Sequence, residues 1–231
     1  VYSCNKSKID GNLTYVTGGT VTNCTVGGST FQQSEVIQPE PMPITQSQID
    51  GWKNEAAAGT VINGNLILFN GEVRYLGPAK IIGNITLNNN SSLILKGTVY
   101  VTGNIILQNN ATIKLDISYG SLSGVLVLDG SVDIKNNAVV EGSGQSGSYI
   151  MVLSTSSSDS AITINQNVQG AVLYTLNGGI TLNQNVQVQQ ITAYKLIINN
   201  NVTVEYEVGL VNSFFVSGPG GSGKVTSWKE K

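Results

Sequence analysis

Short apolar runs alternate with polar positions along most of this chain, and each run returns after a turn. Ile85-Thr86-Leu87, Ile105-Ile106-Leu107, Val132-Asp133-Ile134, Ile162-Thr163-Ile164 and Ile180-Thr181-Leu182 are of this kind. Period-2 alternation predicts strands with one buried face. The runs sit in a longer phrase, Gly-Asn-aliphatic-x-aliphatic-x-Asn-Asn, read at Gly83-Asn84-Ile85-Thr86-Leu87-Asn88-Asn89-Asn90 and Gly103-Asn104-Ile105-Ile106-Leu107-Gln108-Asn109-Asn110. Looser copies begin at Gly130, Ala161, Gly179 and Lys195. Recurrence every ~16 to 30 residues predicts a solenoid. Val125-Leu126-Val127-Leu128, Ile150-Met151-Val152-Leu153 and Ala171-Val172-Leu173-Tyr174 are apolar without alternation, as in strands buried on both faces. The expected fold is therefore all-β: a right-handed parallel β-helix over residues 60–231, the hand following from the rule for parallel crossovers. A last strand is expected at Val225-Thr226-Ser227-Trp228, after a Gly-rich turn.

Asparagines fall where strands end. Asn enters the left-handed backbone region more readily than other non-Gly residues, and stacked Asn side chains can bond from coil to coil. Asn89, Asn110, Asn137, Asn167, Asn185 and Asn200 are the expected members of such a ladder. The functional alternative is an Asn array that binds glycan or ice.

Two segments precede the repeats. Residues 1–44 read as a small β region followed by a Pro-rich linker, whose prolines exclude a central strand. Cys4 and Cys24 are the only cysteines, and their placement predicts a disulfide closing an N-terminal loop in an oxidising compartment. Residues 45–59 read as one helix. Thr45 and Gln48 fit a capping box, Ile44 and Ile49 a hydrophobic staple, and Ile49, Trp52 and Ala56 a single apolar face ended by Gly59. A helix here is expected to cap the open N-terminal end of the solenoid.

Composition narrows the chemistry. The 231-residue chain carries 12 Lys and Arg against 14 Asp and Glu, with no histidine. Nucleic acid and anionic membrane surfaces call for basic clusters that are lacking here. Without histidine, and with two cysteines, no zinc site can be assembled. No apolar run reaches the length of a bilayer span. The chain begins at Val1, so it is expected to be part of a longer precursor. We expect no cofactor, no metal and no catalytic residues.

Three arrangements are nonetheless candidate sites. Asp116, Asp129 and Asp133 come from neighbouring coils, the arrangement by which β-helix enzymes cut polysaccharides; solvated surface charge is the simpler account. Tyr100, Tyr119, Tyr174 and Tyr194 recur about once per coil, and exposed rings in a row would form a platform for sugars; rings filling coil corners are the simpler account. The run from Ser154 to Ser160 has no base nearby and reads as a polar loop.

Several segments in order resemble a known family. They are the Pro-rich stretch, Ile49-Asp50-Gly51-Trp52-Lys53 with its alanines, the Gly-Asn-Ile coils, Ser148-Tyr149-Ile150-Met151-Val152-Leu153-Ser154-Thr155, and the closing Ser217-Gly218-Pro219-Gly220-Gly221 with Ser227-Trp228-Lys229-Glu230. Together they resemble the C-terminal β-solenoid domain of bacterial type IV pilus-associated, PilX-type, pilin-like surface proteins. The resemblance spans roughly residues 40–231 and is more distant for cellulose-binding surface proteins encoded with pilus genes. It implies an exported, cell-surface or pilus-linked role and supplies no catalytic residues. The expected function is a non-enzymatic extracellular structural or adhesion module. A carbohydrate-binding adhesin with a tyrosine face and a self-assembling filament subunit are the alternatives. Expected partners are other pilus or surface proteins, further copies of the chain, or a polysaccharide, with no membrane contact by this segment.

Overall fold

A computed structural model describes residues 3–34, 42–204 and Phe215. The Pro-rich stretch from 35 to 41 and the strand expected at 225–228 lie outside the described residues. The chain divides into two units, 1–41 and 42–231, so the helix belongs with the repeats.

The second unit is a parallel β-solenoid of three sheets with seven strands each. The first sheet holds Thr60–Asn63, Ala79–Ile82, Val99–Val101, Gly124–Leu128, Ile150–Ser154, Val172–Thr175 and Gln190–Thr192. The second holds Leu66–Leu68, Ile85–Leu87, Ile105–Leu107, Val132–Ile134, Ile162–Ile164, Gly179–Leu182 and Lys195–Ile198. The third holds Val73–Leu76, Ser92–Leu95, Thr112–Leu115, Val139–Glu141, Gln169–Gly170, Gln187–Val188 and Thr203–Val204. Each coil contributes one strand to each sheet. In the second sheet Leu66, Ile85, Ile105, Val132, Ile162, Ile180 and Leu196 stand in register, separated by 19, 20, 27, 30, 18 and 16 residues. Inward residues such as Ile85, Leu87, Ile105, Leu107, Ile162 and Leu182 are 0% exposed. Stacked aliphatic columns thus form one continuous core inside the coil.

The three apolar runs behave as their lack of alternation predicts. Leu126, Leu128, Val152 and Leu173 face this inner core. Val125, Val127, Met151, Leu153, Val172 and Tyr174 form a second cluster with Ile44, Ile49, Trp52 and Phe215.

Helix α1 (Gln46–Ala58) covers part of that outer face. Its start is the predicted capping box: Thr45 N–H donates to Gln48 Oε1 at 2.9 Å, and Gln48 N–H donates to Thr45 Oγ1 at 3.3 Å. Its buried residues are Ile49, Trp52 and Ala56. The expected end cap is instead a strap along the flank of the first sheet. Chain geometry explains this. Ile44 is bonded to Tyr174 on the sixth coil, whereas Gly59 leads directly into Thr60 on the first. A 13-residue helix is about 20 Å long, roughly four strand spacings, so it carries the chain back down the solenoid before winding begins.

The first unit holds a surprise. Its strands pair in parallel as Ser3–Asn5 with Thr20–Thr22, Lys8–Ile9 with Thr25–Val26, and Leu13–Val16 with Thr30–Gln33, each offset by 17 residues. The expected small β region is therefore a two-coil solenoid in miniature. The Cys4–Cys24 disulfide is formed, with Cα atoms 6.3 Å apart.

Candidate functional site

Most of the polar side chains singled out in the sequence are engaged in holding coils together. In one column Asn65, Asn84 and Asn104 each accept, through Oδ1, the backbone N–H of the next coil at 2.8–2.9 Å. Gly103 and Gly130 are needed beside them, because a Cβ there would lie 2.3 Å from the asparagine Oδ1. A second column occupies the positive-φ corner: Asn90, Asn110, Asn137, Asn167, Asn185 and Asn201 have φ of 54–59°. Side-chain amides link Asn110 to Asn90, and Asn201 through Asn185 and Asn167 to Asn137, at 3.2–3.3 Å. Four expected ladder members hold, but Asn89 and Asn200 do not. Where three asparagines stand in a row, the left-handed residue is the last, at the third position of the turn, so Asn90 and Asn201 take those rungs. Asn89 and Asn200 instead offer backbone carbonyls to Gly71 and Asn185. The serine run is a chain of local turns, with Ser154, Ser156 and Ser158 each accepting the N–H two residues on at 3.2 Å.

The four tyrosines do not share a face. Tyr119 is 2% and Tyr174 0% exposed, and only Tyr194, at 71%, lies open. The apolar rings fill the core because burying them outweighs displaying them. Tyr174 donates its hydroxyl to the Ile44 carbonyl at 3.2 Å, and burial pushes its pKa upward. Tyr100 is half-buried, with the ammonium groups of Lys53 and Lys80 5.1 and 5.4 Å from its ring centre.

Nor do the three aspartates converge. Asp116 caps a turn through Ser118 after a strand of the third sheet. Asp133 lies on the second sheet, bonded to Lys135 and Asn165. Asp129 follows a strand of the first sheet and accepts from Lys53, Tyr100 and Thr155. Burial works to raise the Asp129 pKa, but those three hydrogen bonds and the Lys53 charge overcome it, so the carboxyl titrates below its ordinary range. This cluster clips α1 to the solenoid.

A cleft not foreseen from the sequence lies at the corner between the third and first sheets. That corner takes eight residues after the third coil, 116–123, and eight after the fourth, 142–149; the next two corners are single residues, Ala171 and Gln189. The two long loops lock together. Ser148 donates to the Leu122 carbonyl at 2.7 Å, Ser143 donates to Gly120, and Tyr149 N–H donates to Ser123 Oγ at 3.0 Å. The drop from long loops to single-residue corners leaves a step, and the cleft lies at its foot.

It has two lobes, of about 310 and 280 Å³, that share Glu141, Gly170 and Gln189. A Cβ at Gly170 would lie 2.1 Å from the Val140 carbonyl oxygen, so the floor carries no side chain there. Ala171 beside it has φ +74°, a conformation strained for a non-glycine residue, and such strain collects at functional sites. Gln189 Oε1 is shielded from solvent and has no hydrogen-bond partner. A buried unpaired acceptor is costly. The sequence signal was the long gap between the strands Val139–Glu141 and Ile150–Ser154, filled by glycine and serine. No group of three or more metal-ligating side chains occurs among the described residues. No protein-family model, no curated protein and no solved structure matches this chain.

Proposed function

We propose that this chain is an extracellular structural and adhesion module: a stiff, right-handed coil that holds a contact site away from the cell. The observation that carries the reading is the contrast between a coil whose asparagines are bonded to one another and an open cleft at the step between its long and short corners. The Cys4–Cys24 disulfide suits an oxidising, extracellular setting. No helix among the described residues is long and apolar enough to cross a membrane. The order of segments that resembles PilX-type proteins supports a pilus- or surface-linked placement, with pilus or surface proteins as partners. Immunogold labelling of intact source cells with antibody to the solenoid tests this. Label on the surface or on pili is expected; label confined to the cell interior overturns the reading.

Self-assembly is a second reading, favoured by the end of the last described coil. Leu196, Ile198 and Val204 occupy core columns by register yet are 45–50% exposed. The opposite end differs: Arg74 occupies the corresponding core column of the third sheet, and a charge there opposes edge pairing. Copies adding in one direction would give filaments. Light scattering against concentration tests this, with Leu196→Lys expected to abolish any growth.

A further inference from the structure

The two ends of the solenoid finish the same core columns differently. Leu66 and Leu68 on the first coil head the two inward columns of the second sheet that Leu196 and Ile198 close on the seventh. Leu66 and Leu68 are 4% and 0% exposed, whereas Leu196 and Ile198 are 45% and 50% exposed. One end of the core is covered and the other is open. No strand among the described residues pairs beyond Lys195–Ile198. The Lys195 and Asn199 N–H groups donate back to the Gly178 and Leu182 carbonyls at 3.4 and 2.9 Å. Backbone groups alternate sides along a strand, so those of Leu196 and Ile198 point out of the open end. Exposed edges of this kind are commonly blunted by charge or proline. From 187 to 204 there is neither proline nor glycine, and the one charge, Lys195, is paired with Asp159 at 2.5 Å.

A second copy of the chain has two coil ends to offer this edge. Its first coil is covered, and Arg74 stands there in a core column of the third sheet. Its last coil is open, and the strand Lys195–Ile198 is complementary to itself when run antiparallel. With Ile197 opposite the partner's Ile197, Leu196 falls opposite Ile198. Inward residues then meet inward residues, and the apolar core runs from one copy into the other. A slip by one residue would set Leu196 against Ile197 and turn the inward set outward. In the same register Leu196 and Ile198, whose backbone groups point out of the end, become the hydrogen-bonded pairs and exchange both N–H···O bonds. Each Lys195 lies opposite Asn199, so like charges do not stand face to face.

We propose that two copies of this chain join by their last coils, about a two-fold axis that passes between the paired Ile197 residues. The interface is the same surface on both copies, the commonest form of soluble association. Growth stops at two, because the joined pair presents covered first coils at both of its ends. The proposal rests on the self-assembly reading and narrows it from an open series of copies to a closed pair.

Sedimentation velocity of the full chain tests the stoichiometry. From about 1 to 100 µM the particle should pass from one chain to two and grow no further. Leu196→Lys should hold it at one chain. Disulfide trapping tests the pairing. The native cysteines are bonded to each other, so an added cysteine reports alone. Ile197→Cys, at an outward and partly exposed position, should cross-link to itself under mild oxidation, because Cα atoms in a non-hydrogen-bonded antiparallel pair lie about 4.5 Å apart. Ile67→Cys marks the same outward column on the first coil and should not cross-link. Cross-links between Ile67→Cys and Ile197→Cys chains in a mixture, with particles that grow past two, overturn the closed pair and leave self-assembly standing. A pair that forms without the Ile197→Cys cross-link overturns this geometry. A single chain at every concentration, with no cross-link, overturns both the pair and the self-assembly reading.

Discussion

The two units of this chain are built with the same corner and stabilised in different ways. Gly11-Asn12-Leu13 in the first unit repeats the Gly83-Asn84-Ile85 and Gly103-Asn104-Ile105 of the second. Asn12 Oδ1 accepts Ser29 N–H on the next coil at 2.8 Å, as Asn84 does for Asn104. A Cβ at Gly28 would lie 2.3 Å from Asn12 Oδ1, the same distance as at Gly103. Yet among its described residues the first unit buries only Cys4 and Leu13 as apolar side chains, whereas the second stacks aliphatic columns through seven coils. A solenoid coil buries its core only against neighbours, and two coils have too few. The disulfide stands where a core would be. Stability here comes from coil number in one unit and from a covalent closure in the other.

The largest way to break the contrast is to hollow out the long core. Leu107→Ala removes a fully buried side chain flanked by Leu87 and Ile134 in register. We expect a loss of about 3 kcal/mol, seen as a lower midpoint in denaturant for the second unit, with exchange protection of the first unit unchanged. Cys4→Ser makes the converse cut. Removing a cross-link that spans 20 residues of sequence should destabilise the first unit by about 3 kcal/mol and leave it unfolded. Hydrogen exchange should then be fast over residues 3–34 and unaltered over 60–204. Unchanged protection in residues 3–34 would mean that the corner bonds alone suffice.

Those features explain what could be read beforehand. The second unit was legible because each of its signals recurs: the period-2 runs gave the strands, the unbroken apolar runs gave the two-sided sheet, and Thr45 and Gln48 gave the helix start. The first unit was opaque because two copies are too few to stand out as a repeat, and Lys6, at φ 49° where the second copy has Asn23 at 55°, hides the match. The helix lies along the flank rather than over the end because its apolar face shows only that it packs, whereas the strands it meets, from Thr60–Asn63 to Gly124–Leu128, come together only once the coils are stacked. The tyrosines misled because spacing along a coil does not tell an outward ring from one that turns into a corner. The cleft depended on a change in corner length from eight residues to one, which appears only once strands are in register. Gln189 carries no local signal at all.

A smaller test keeps the fold and probes the shared corner. Gly28→Ala and Gly103→Ala introduce the same contact, with the Cβ also 2.9 Å from the Gly11 carbonyl in the first case and 2.6 Å from the Gly83 carbonyl in the second. Backbone must shift in both, at a cost of about 1–3 kcal/mol. In the seven-coil unit this should appear as a modest drop in melting temperature. In the two-coil unit, with little core in reserve, it should appear as loss of protection throughout residues 3–34. Equal, small effects in both would show that the first unit is more stable than its core implies.

The smallest effect sharpens the contrast from the side of the strap. A partly exposed ionic contact ties the strap to the coils of the second unit, where Lys53 of α1 meets Asp129 beside Tyr100 and Thr155. The Asp129 carboxyl titrates below its ordinary range in the fold. Its contribution is therefore complete above the unfolded carboxylate pKa of about 4, and is lost as pH falls through the lower, folded value. Because Asp129 is about one-third exposed, solvent screens the pair and the effect is modest. Acid should loosen α1 while the coils stay intact, since the inner core, among the described residues, holds no carboxylate. Trp52 fluorescence followed from pH 6 to pH 2 should shift before the far-ultraviolet signal of the strands. Asp129→Asn should remove that early shift while leaving the strand transition in place. A Trp52 shift that persists in the variant would assign the acid response to another carboxylate and leave Asp129 as one contact among many along the strap.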